Sequence, residues 1–365
     1  MKKNEEIEVE IIDNGFEGEG IAKAHGFVIF VPEAIAGEKV RVKILKVNKN
    51  VAFGKLMEVI RPAGTRVIPD CETYSKCGGC NLRHIEYQAS LEMKKNSVCN
   101  TLRKALKRDV EISEMIGMSE PCYYRNKLQY PVGMDENGEP VMGVFAKRSH
   151  RIIPAVDCKL QNQDCQKVAR DVFEFLKEKK ISEYDETTGT GLVRHIIVRI
   201  GVKTDEMMVI LVLNSWELPF EEELVSFVKE RNPKVKTIVK NLNDKNTNVI
   251  LGRENRIIDG DGYIFDYLGD KKFKISPLSF YQVNPVQTVK LYQKAVEFAD
   301  LTGQETIFDL YCGVGTIGIF AAGKAGKLYG IETIENAIKD ARENAQINDI
   351  QNAEFFVRRC GECFA

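Results

Sequence analysis

The stretch that decides the fold is residues 307–318, which read IFDLYCGVGTIG. Its first five residues, 307–311, form a short apolar run typical of a buried parallel strand, and the glycines that follow predict a tight turn. Residues 317–325 then predict an apolar, alanine-rich helix, and residues 327–331 predict a second strand that ends at Glu332. Such a strand–helix–strand unit binds an adenosine cofactor, because the glycines let the ligand approach the backbone and the acid accepts hydrogen bonds from ribose hydroxyls.

The composition is that of a soluble protein with several domains. The chain has 365 residues, of which 44% are hydrophobic and 29% are charged, and this length suffices for two or three domains. No apolar segment resembles a signal peptide or a membrane span, so we expect a cytoplasmic protein that does not bind membranes. The net charge is −1, but basic residues are concentrated at 81–108 and 231–256, which permits a polyanionic partner.

The N-terminal segment is predicted to be a small all-β domain spanning residues 1–62. Apolar and polar residues alternate at 7–11 and 38–47, residues 26–31 predict another strand, and glycine-containing turns separate these strands. Short strands with such turns favour a barrel of the oligonucleotide-binding kind. Barrels of this kind often bind single-stranded nucleic acid, so RNA binding is the functional interpretation of this domain.

A group of cysteines follows the barrel and predicts a metal site. Cys71, Cys77 and Cys80 are separated by five and two residues, with two glycines between the last two cysteines. A zinc site would usually show two matched Cys-x2-Cys pairs, whereas three close cysteines and a remote fourth are typical of iron–sulfur ligation. Zinc and plain buried thiols stay the alternatives, and Cys158 and Cys165 are both candidates for the fourth ligand.

Residues 63–270 are predicted to form an α+β central domain that carries the iron–sulfur site. It opens with a basic helix across residues 84–108 and continues with strands that alternate with short helices. Two polar clusters, at 123–127 and 191–199, contain basic residues suited to hold phosphates, namely Arg125, Lys127, Arg194 and Arg199. His195 has no second histidine at ligand spacing, so we interpret it as a structural residue.

The last domain, residues 271–365, is predicted to be α/β and Rossmann-like. Asn284 is expected to cap a helix whose first residue is Pro285. Gln282, a polar residue in a segment expected to be a strand, lies where it could reach a cofactor.

The glycine pattern leaves two cofactors to be weighed. Gly313, Gly315 and Gly318 match the dinucleotide fingerprint, so a nicotinamide-dependent oxidoreductase is one alternative. Asp309, at the end of the strand before these glycines, instead favours S-adenosylmethionine, because an acid at this place commonly meets the methionine part of that cofactor.

At this point the chain resembles a known family, the iron–sulfur-containing RNA uracil-5-methyltransferases that modify 23S rRNA. The resemblance extends over almost the whole chain. Residues 5–60 are similar to the family's RNA-binding TRAM domain, and residues 124–127 and 194–199 are similar to its central-domain motifs. The resemblance implies a 4Fe–4S cluster whose ligands are Cys71, Cys77, Cys80 and Cys158.

The resemblance also implies the cofactor site and the partner. Residues 279–284, 309–315 and 331–332 are similar to the family's S-adenosylmethionine motifs. The implied cofactor-binding residues are Gln282, Asp309, Tyr311, Gly313, Gly315 and Glu332. The implied partner is 23S rRNA, and we expect the protein to act as a monomer.

The family's reaction needs residues that this chain is expected to lack. Carbon 5 of uracil is a weak nucleophile, so a cysteine thiolate adds to carbon 6, carbon 5 attacks the methyl group, and a base removes the carbon-5 proton. In the family the nucleophile, the base and a cofactor-binding Asp-Pro-Pro-Arg motif lie C-terminal to the position of Ala365. We therefore expect a C-terminally truncated enzyme with no catalytic residue in this chain; Cys312 is expected to be a packing residue, and Cys360 and Cys363 are rejected as nucleophile or metal ligands.

This expectation has a rival from another functional class. The chain could be a non-catalytic RNA-binding iron–sulfur remnant that folds through residue 260. The nicotinamide-dependent oxidoreductase is the third hypothesis.

Overall fold

The computed structural model describes residues 1–155 and 157–359, and the chain divides into two compact units. The first unit comprises residues 1–119 and 146–148, and the second comprises residues 120–145 and those from 149 onward. The three-domain division expected at residues 62 and 270 stays a prediction. No helix in the described part of the chain is both long and apolar enough to cross a membrane.

The first unit contains the predicted barrel. Its strands are β1 (Glu6–Asn14), β2 (Gly20–Ala24), β3 (Phe27–Val31), β4 (Lys39–Val47) and β5 (Val51–Arg61). They close in the order β1-β2-β3-β5-β4, so the barrel prediction is confirmed. The period-two pattern of β4 explains the closure, because Val40, Val42 and Ile44 are fully buried while the lysines and arginine between them face outward.

The cysteine segment and one long helix complete the first unit. The helix α1 (Tyr87–Leu106) lies within the predicted basic stretch and buries only Ser90. Its last turn carries Arg103 and Lys104, and the left-handed residue Lys107, with φ of 55°, ends it.

The second unit is built on a seven-stranded sheet with the order β12-β11-β10-β9-β6-β7-β8. The strands are β6 (Lys127–Met134), β7 (Pro140–Phe145), β8 (Ile152–Pro154), β9 (Val193–Ile200), β10 (Met207–Leu213), β11 (Val235–Leu242) and β12 (Glu254–Asp259). The helices α2 (Gln163–Glu178) and α3 (Glu221–Arg231) belong to the core that covers one face of this sheet. Every residue of β9 and β10 is buried, because the other face of the sheet is covered as well.

The covering elements include the predicted nucleotide-binding unit. They begin with a hairpin of β13 (Ile264–Leu268) and β14 (Lys271–Ile275) and with the helix α4 (Pro285–Ala299). Then β15 (Thr306–Leu310), α5 (Thr316–Ala322), β16 (Lys327–Glu332), α6 (Glu335–Ile347) and β17 (Ala353–Val357) follow, and their strands form a parallel sheet in the order β15-β16-β17. The predicted strand–helix–strand unit is therefore confirmed.

The burial of its first strand differs from the prediction. We expected a fully buried strand, but Phe308 is 52% exposed and Leu310 is 40% exposed. The reason is that β15 is an edge strand of a sheet with three described strands, so part of one face is accessible.

Candidate functional site

The backbone between β15 and α5 turns sharply and leaves open space beside it. Tyr311, Gly313 and Gly315 all have positive φ angles, of 66°, 55° and 80°. A Cβ atom added at Gly313 would meet no atom within 4 Å, whereas one at Gly315 would lie 3.0 Å from Ile319 Cδ1. The turn is held to the next strand because the N–H of Cys312 donates to the carbonyl of Ile331 at 3.0 Å. The open side of Gly313 is where a ligand can approach the backbone.

Asp309 lies at the end of β15, directly below this turn. Its Oδ2 accepts a hydrogen bond from the N–H of Gly318 at 3.0 Å. Burial raises the pKa of this carboxyl to about 6, although the Gly318 hydrogen bond acts in the opposite direction. A Cβ atom at Gly318 would lie 2.8 Å from Asp309 Oδ2, so the third glycine of the pattern is needed for the contact of the helix α5 with this acid.

Glu332 ends β16, as predicted, and its carboxylate caps the turn that follows. Its Oε1 accepts hydrogen bonds from the backbone N–H groups of Thr333 and Ile334 at 2.6 and 3.1 Å and from the Thr333 hydroxyl at 3.0 Å. These bonds fix the direction of the carboxylate at the end of the sheet where Asp309 and the glycine turn also lie. The half-buried carboxylate is in the position of an acid that binds ribose hydroxyls.

Gln282 lies in a loop and not in a strand, which corrects the prediction. The loop connects β14 to α4 and is held by Asn126, whose Nδ2 donates to the carbonyl of Gln282. The backbone N–H of Asn126 donates to the carbonyl of Val283, and both distances are 3.0 Å. Beyond it Asn284 accepts a bond from the N–H of Gln287 at 3.1 Å and caps α4, as predicted.

Arg199 and Asp340 both hold the start of the same loop by hydrogen bonds to two serines, a role that sequence reasoning missed. The guanidinium of Arg199 donates to the carbonyls of Ser276 and Ser279 at 2.7 and 2.5 Å. From the other side Asp340, on α6, accepts from the hydroxyls of the same two serines at 3.1 and 2.8 Å. The loop leads to Phe280, which is 71% exposed. The signal that could have indicated these hydrogen bonds is the presence of an arginine in a strand whose residues are all buried.

The four basic residues predicted to hold phosphates fall into two pairs that differ in burial and in hydrogen bonding. Arg194 is buried, stacks on Tyr184 at 4.1 Å and donates to the carbonyls of Asn243 and Lys245. Like Arg199, it therefore binds carbonyl groups of the protein itself. Arg125 and Lys127 are partly exposed and stay available for binding a phosphate.

The predicted metal ligands belong to two different units. Cys71, Cys77 and Cys80 lie in the first unit, Cys158 lies in the second, and all four are partly buried thiols. The N–H of Gly79 donates to Cys77 Sγ at 3.2 Å, which suits a thiolate ligand. Within residues 1–155 and 157–359, however, no group of three or more His, Cys, Asp or Glu side chains is arranged to hold a metal ion. The residue types fit the ligands of an iron–sulfur cluster.

The remaining predicted residues take structural places. Cys312 is 6% exposed in the core beneath the glycine turn, as expected of a packing residue, and Cys165 is fully buried in α2. His195 is 7% exposed, and neither ring nitrogen has a hydrogen-bond partner among the described residues. Cys360 and Cys363 lie outside the described residues.

Two known domain families match this chain, one in its N-terminal part and one in its C-terminal part. The TRAM domain matches residues 2–57, which form the barrel, and a methyltransferase domain matches residues 301–364, which include the glycine turn.

Two curated relatives and one solved structure are similar over nearly all of the chain. RNA methyltransferases of Clostridium tetani and Clostridium acetobutylicum are each 44% identical, over 98% and 99% of this chain and 77% and 79% of their own lengths. The crystal structure of a tRNA (uracil-54, C5)-methyltransferase from Pyrococcus abyssi, in complex with S-adenosyl-L-homocysteine, covers 96% of this chain and 79% of that chain. Its TM-score is 0.76 at 26% identity. With the barrel, the glycine turn and the two strand-end acids in place, this chain belongs to the family of RNA methyltransferases.

Proposed function

We propose that this protein binds S-adenosylmethionine and serves the methylation of carbon 5 of a uridine in RNA. The observation that carries the proposal is the group of Asp309, the open glycine turn and Glu332 at one end of the parallel sheet. The Pyrococcus abyssi neighbour, a tRNA uracil-C5 methyltransferase bound to S-adenosyl-L-homocysteine, supports both the cofactor and the reaction class.

The residues of this chain have separate tasks in holding the cofactor, which supplies an electrophilic methyl group when bound. Glu332 accepts hydrogen bonds from ribose hydroxyls, and the backbone at Gly313 and Gly315 lets the ligand approach. Asp309 attracts the ammonium of the methionine part, for which the carboxyl must be ionised. Gln282 and the exposed ring of Tyr311 are the further contacts implied by the family resemblance.

The chemical step proposed for the family is a covalent one. A cysteine thiolate adds to carbon 6 of uracil, carbon 5 takes the methyl group, and a base removes the carbon-5 proton so that the thiolate can leave. We assign neither nucleophile nor base to a residue of this chain. The chain covers 77–79% of the length of the two relatives described above.

Two observations bear on the identity of the RNA partner, and they favour different RNAs. The resemblance of the cysteine and barrel segments to the iron–sulfur class favours 23S rRNA, whereas the solved neighbour acts on tRNA. We propose 23S rRNA as the substrate of a cytoplasmic, monomeric protein. Transfer of a labelled methyl group to 23S rRNA but not to tRNA would support this assignment, and the opposite preference would overturn it.

The same assay tests the proposed reaction class. Purified residues 1–365 are incubated with methyl-labelled S-adenosylmethionine and RNA, and a second incubation uses RNA that contains 5-fluorouridine. The fluorine blocks loss of the carbon-5 substituent, so a cysteine nucleophile becomes trapped in a covalent complex. Label at carbon 5 and a trapped complex would support the reaction class, whereas binding of neither RNA nor S-adenosylhomocysteine would refute the proposed function itself.

The iron–sulfur cluster is a separate proposal about Cys71, Cys77, Cys80 and Cys158. It is supported by their spacing and by the Gly79 N–H that points at Cys77 Sγ. Protein purified without oxygen is expected to be brown and to contain iron and acid-labile sulfide, and Cys77→Ser is expected to lose both. Stoichiometric zinc without sulfide would contradict the proposal, and Cys99→Ser serves as a control because that cysteine lies outside the set.

A further inference from the structure

Three positively charged side chains lie near one another beside the cofactor loop. Lys127, the first residue of β6, is directly opposite Arg199 in the antiparallel pairing of β6 with β9. Arg125 precedes Lys127 by two residues, and its backbone pairs with that of Gln161 and is therefore extended. Side chains two residues apart on an extended chain point to the same side, so all three cations share one face.

Within the described part of the chain, the three cations differ in their hydrogen bonds. Arg199 is buried and donates to two backbone carbonyls. The Nε of Arg125 is buried and has no hydrogen-bond partner among the described residues. Burial, together with the charges of Arg199 and Arg125, lowers the pKa of Lys127 to about 8. A partly buried cation without a counter-ion is unfavourable, and bound anions commonly remove such a penalty.

The position of these cations links them to the proposed reaction. Asn126, the residue between Arg125 and Lys127, holds the backbone of Gln282 and Val283 by two hydrogen bonds. The same loop presents the exposed ring of Phe280, a surface on which an unstacked base can lie. A polyanion whose bases reach this loop therefore has a phosphate within reach of the cations.

We infer that Arg125 and Lys127 bind a phosphodiester group of the RNA substrate and so position one nucleotide at the cofactor loop. This inference rests on the proposed function, because it needs an RNA at the loop that carries Gln282. The carboxylate of the cofactor is the other anion expected near this loop. Two adjacent cations above a third buried one favour the RNA backbone, which supplies successive negative charges, over a single carboxylate.

The test measures RNA binding and cofactor binding separately. A fluorescein-labelled RNA hairpin with uridines in its loop is titrated with the full chain at several salt concentrations, and S-adenosylhomocysteine is titrated by calorimetry. Lys127→Gln is expected to weaken RNA binding roughly fivefold to tenfold and to reduce the slope of log affinity against log salt by about 0.7, the value for one phosphate of a single strand. Arg125→Gln is expected to act likewise, and Lys127→Arg is expected to retain binding.

The matched control is Lys180→Gln, which removes an exposed lysine after α2 in the same unit and is expected to change neither quantity. Thermal unfolding of Lys127→Gln is expected at an unchanged or higher temperature, because an unpaired cation is removed. If that variant does not fold, the premise of an unpaired cation is wrong, and Arg125→Gln still gives the binding comparison.

Each outcome decides the inference. Unchanged RNA affinity and salt slope in both variants, with binding by the wild type intact, would overturn the inference alone and leave the proposed function standing. Lost affinity for S-adenosylhomocysteine with RNA binding retained would assign the cations to the cofactor carboxylate and also overturn it. Failure of the wild type to bind the hairpin would refute the RNA-directed function together with the inference.

Discussion

At the scale of single residues, Asp309 combines a stability penalty with its proposed role in binding the cofactor. Its carboxyl has a pKa of about 6 in the folded chain because it is buried, against an ordinary value of 3.8. A carboxyl with a raised folded pKa favours folding at low pH, and this contribution is lost as the pH rises through about 6. At pH 8 the ionised, buried group therefore destabilises the protein without ligand.

Asp309→Asn tests this conflict between stability and binding. Asparagine keeps an acceptor for the Gly318 N–H but has no charge, so the variant is expected to be more stable at pH 8 by about 2 kcal/mol and equally stable near pH 3.5. Thermal unfolding at the two pH values measures the effect, and calorimetry is expected to show weaker binding of S-adenosylhomocysteine. A variant less stable than the wild type at pH 8 would show that the carboxylate is not destabilising.

The contribution of His195 to folding stability depends on pH in the opposite direction. Burial lowers its pKa from 6.5 to about 4, so the imidazole is neutral in the folded chain while the unfolded chain binds a proton below pH 6.5. Stability is therefore expected to fall as the pH drops from about 6.5 to about 4, by roughly 3 kcal/mol at most for this residue. Urea unfolding of His195→Leu at pH 7 and pH 5 should show a smaller difference in stability than the wild type. Equal differences in the two proteins would refute this assignment.

At the scale of elements, we expect the glycine turn to bind the cofactor only if α5 lies close to Asp309. Gly318→Ala places a Cβ atom 2.8 Å from Asp309 Oδ2 and 3.1 Å from Leu328, whereas Gly323→Ala at the end of α5 meets nothing within 4 Å. We expect Gly318→Ala to lower the unfolding temperature and to weaken S-adenosylhomocysteine binding at least about tenfold. Gly323→Ala is expected to be neutral or stabilising by up to about 1 kcal/mol. Equal behaviour of the two variants would contradict the close contact.

The elements also show where sequence patterns sufficed and where they failed. The strand at 307–311, the acid at Glu332 and the cap at Asn284 were predictable because their signals are local: an apolar run, a strand end, and an asparagine before a proline. A strand was expected at Gln282 because the neighbouring residues are apolar, whereas this segment is a loop held by Asn126, which is remote in sequence. The pairing of Arg199 and Asp340 across two serines is likewise a long-range contact that no local pattern encodes.

At the scale of the whole molecule, the sequence predicted the barrel, the α+β sheet and the nucleotide-binding unit in the right order. It did not indicate that the seven-stranded sheet is covered on both faces, which makes the last elements part of the second unit. The predicted cluster depends on four cysteines from two units, and their arrangement could not be derived from spacing alone.

The central claim is that the glycine turn with its two acids binds S-adenosylmethionine and not a dinucleotide. Calorimetric titration of the wild type with S-adenosylhomocysteine and with oxidised nicotinamide adenine dinucleotide, at pH 8 where Asp309 is ionised, tests it most directly. We expect S-adenosylhomocysteine to bind more tightly, and Glu332→Gln to weaken its binding about tenfold or more, because a charge-assisted hydrogen bond to the ribose is lost. Tighter binding of the dinucleotide, or no loss of affinity in Glu332→Gln, would contradict the claim.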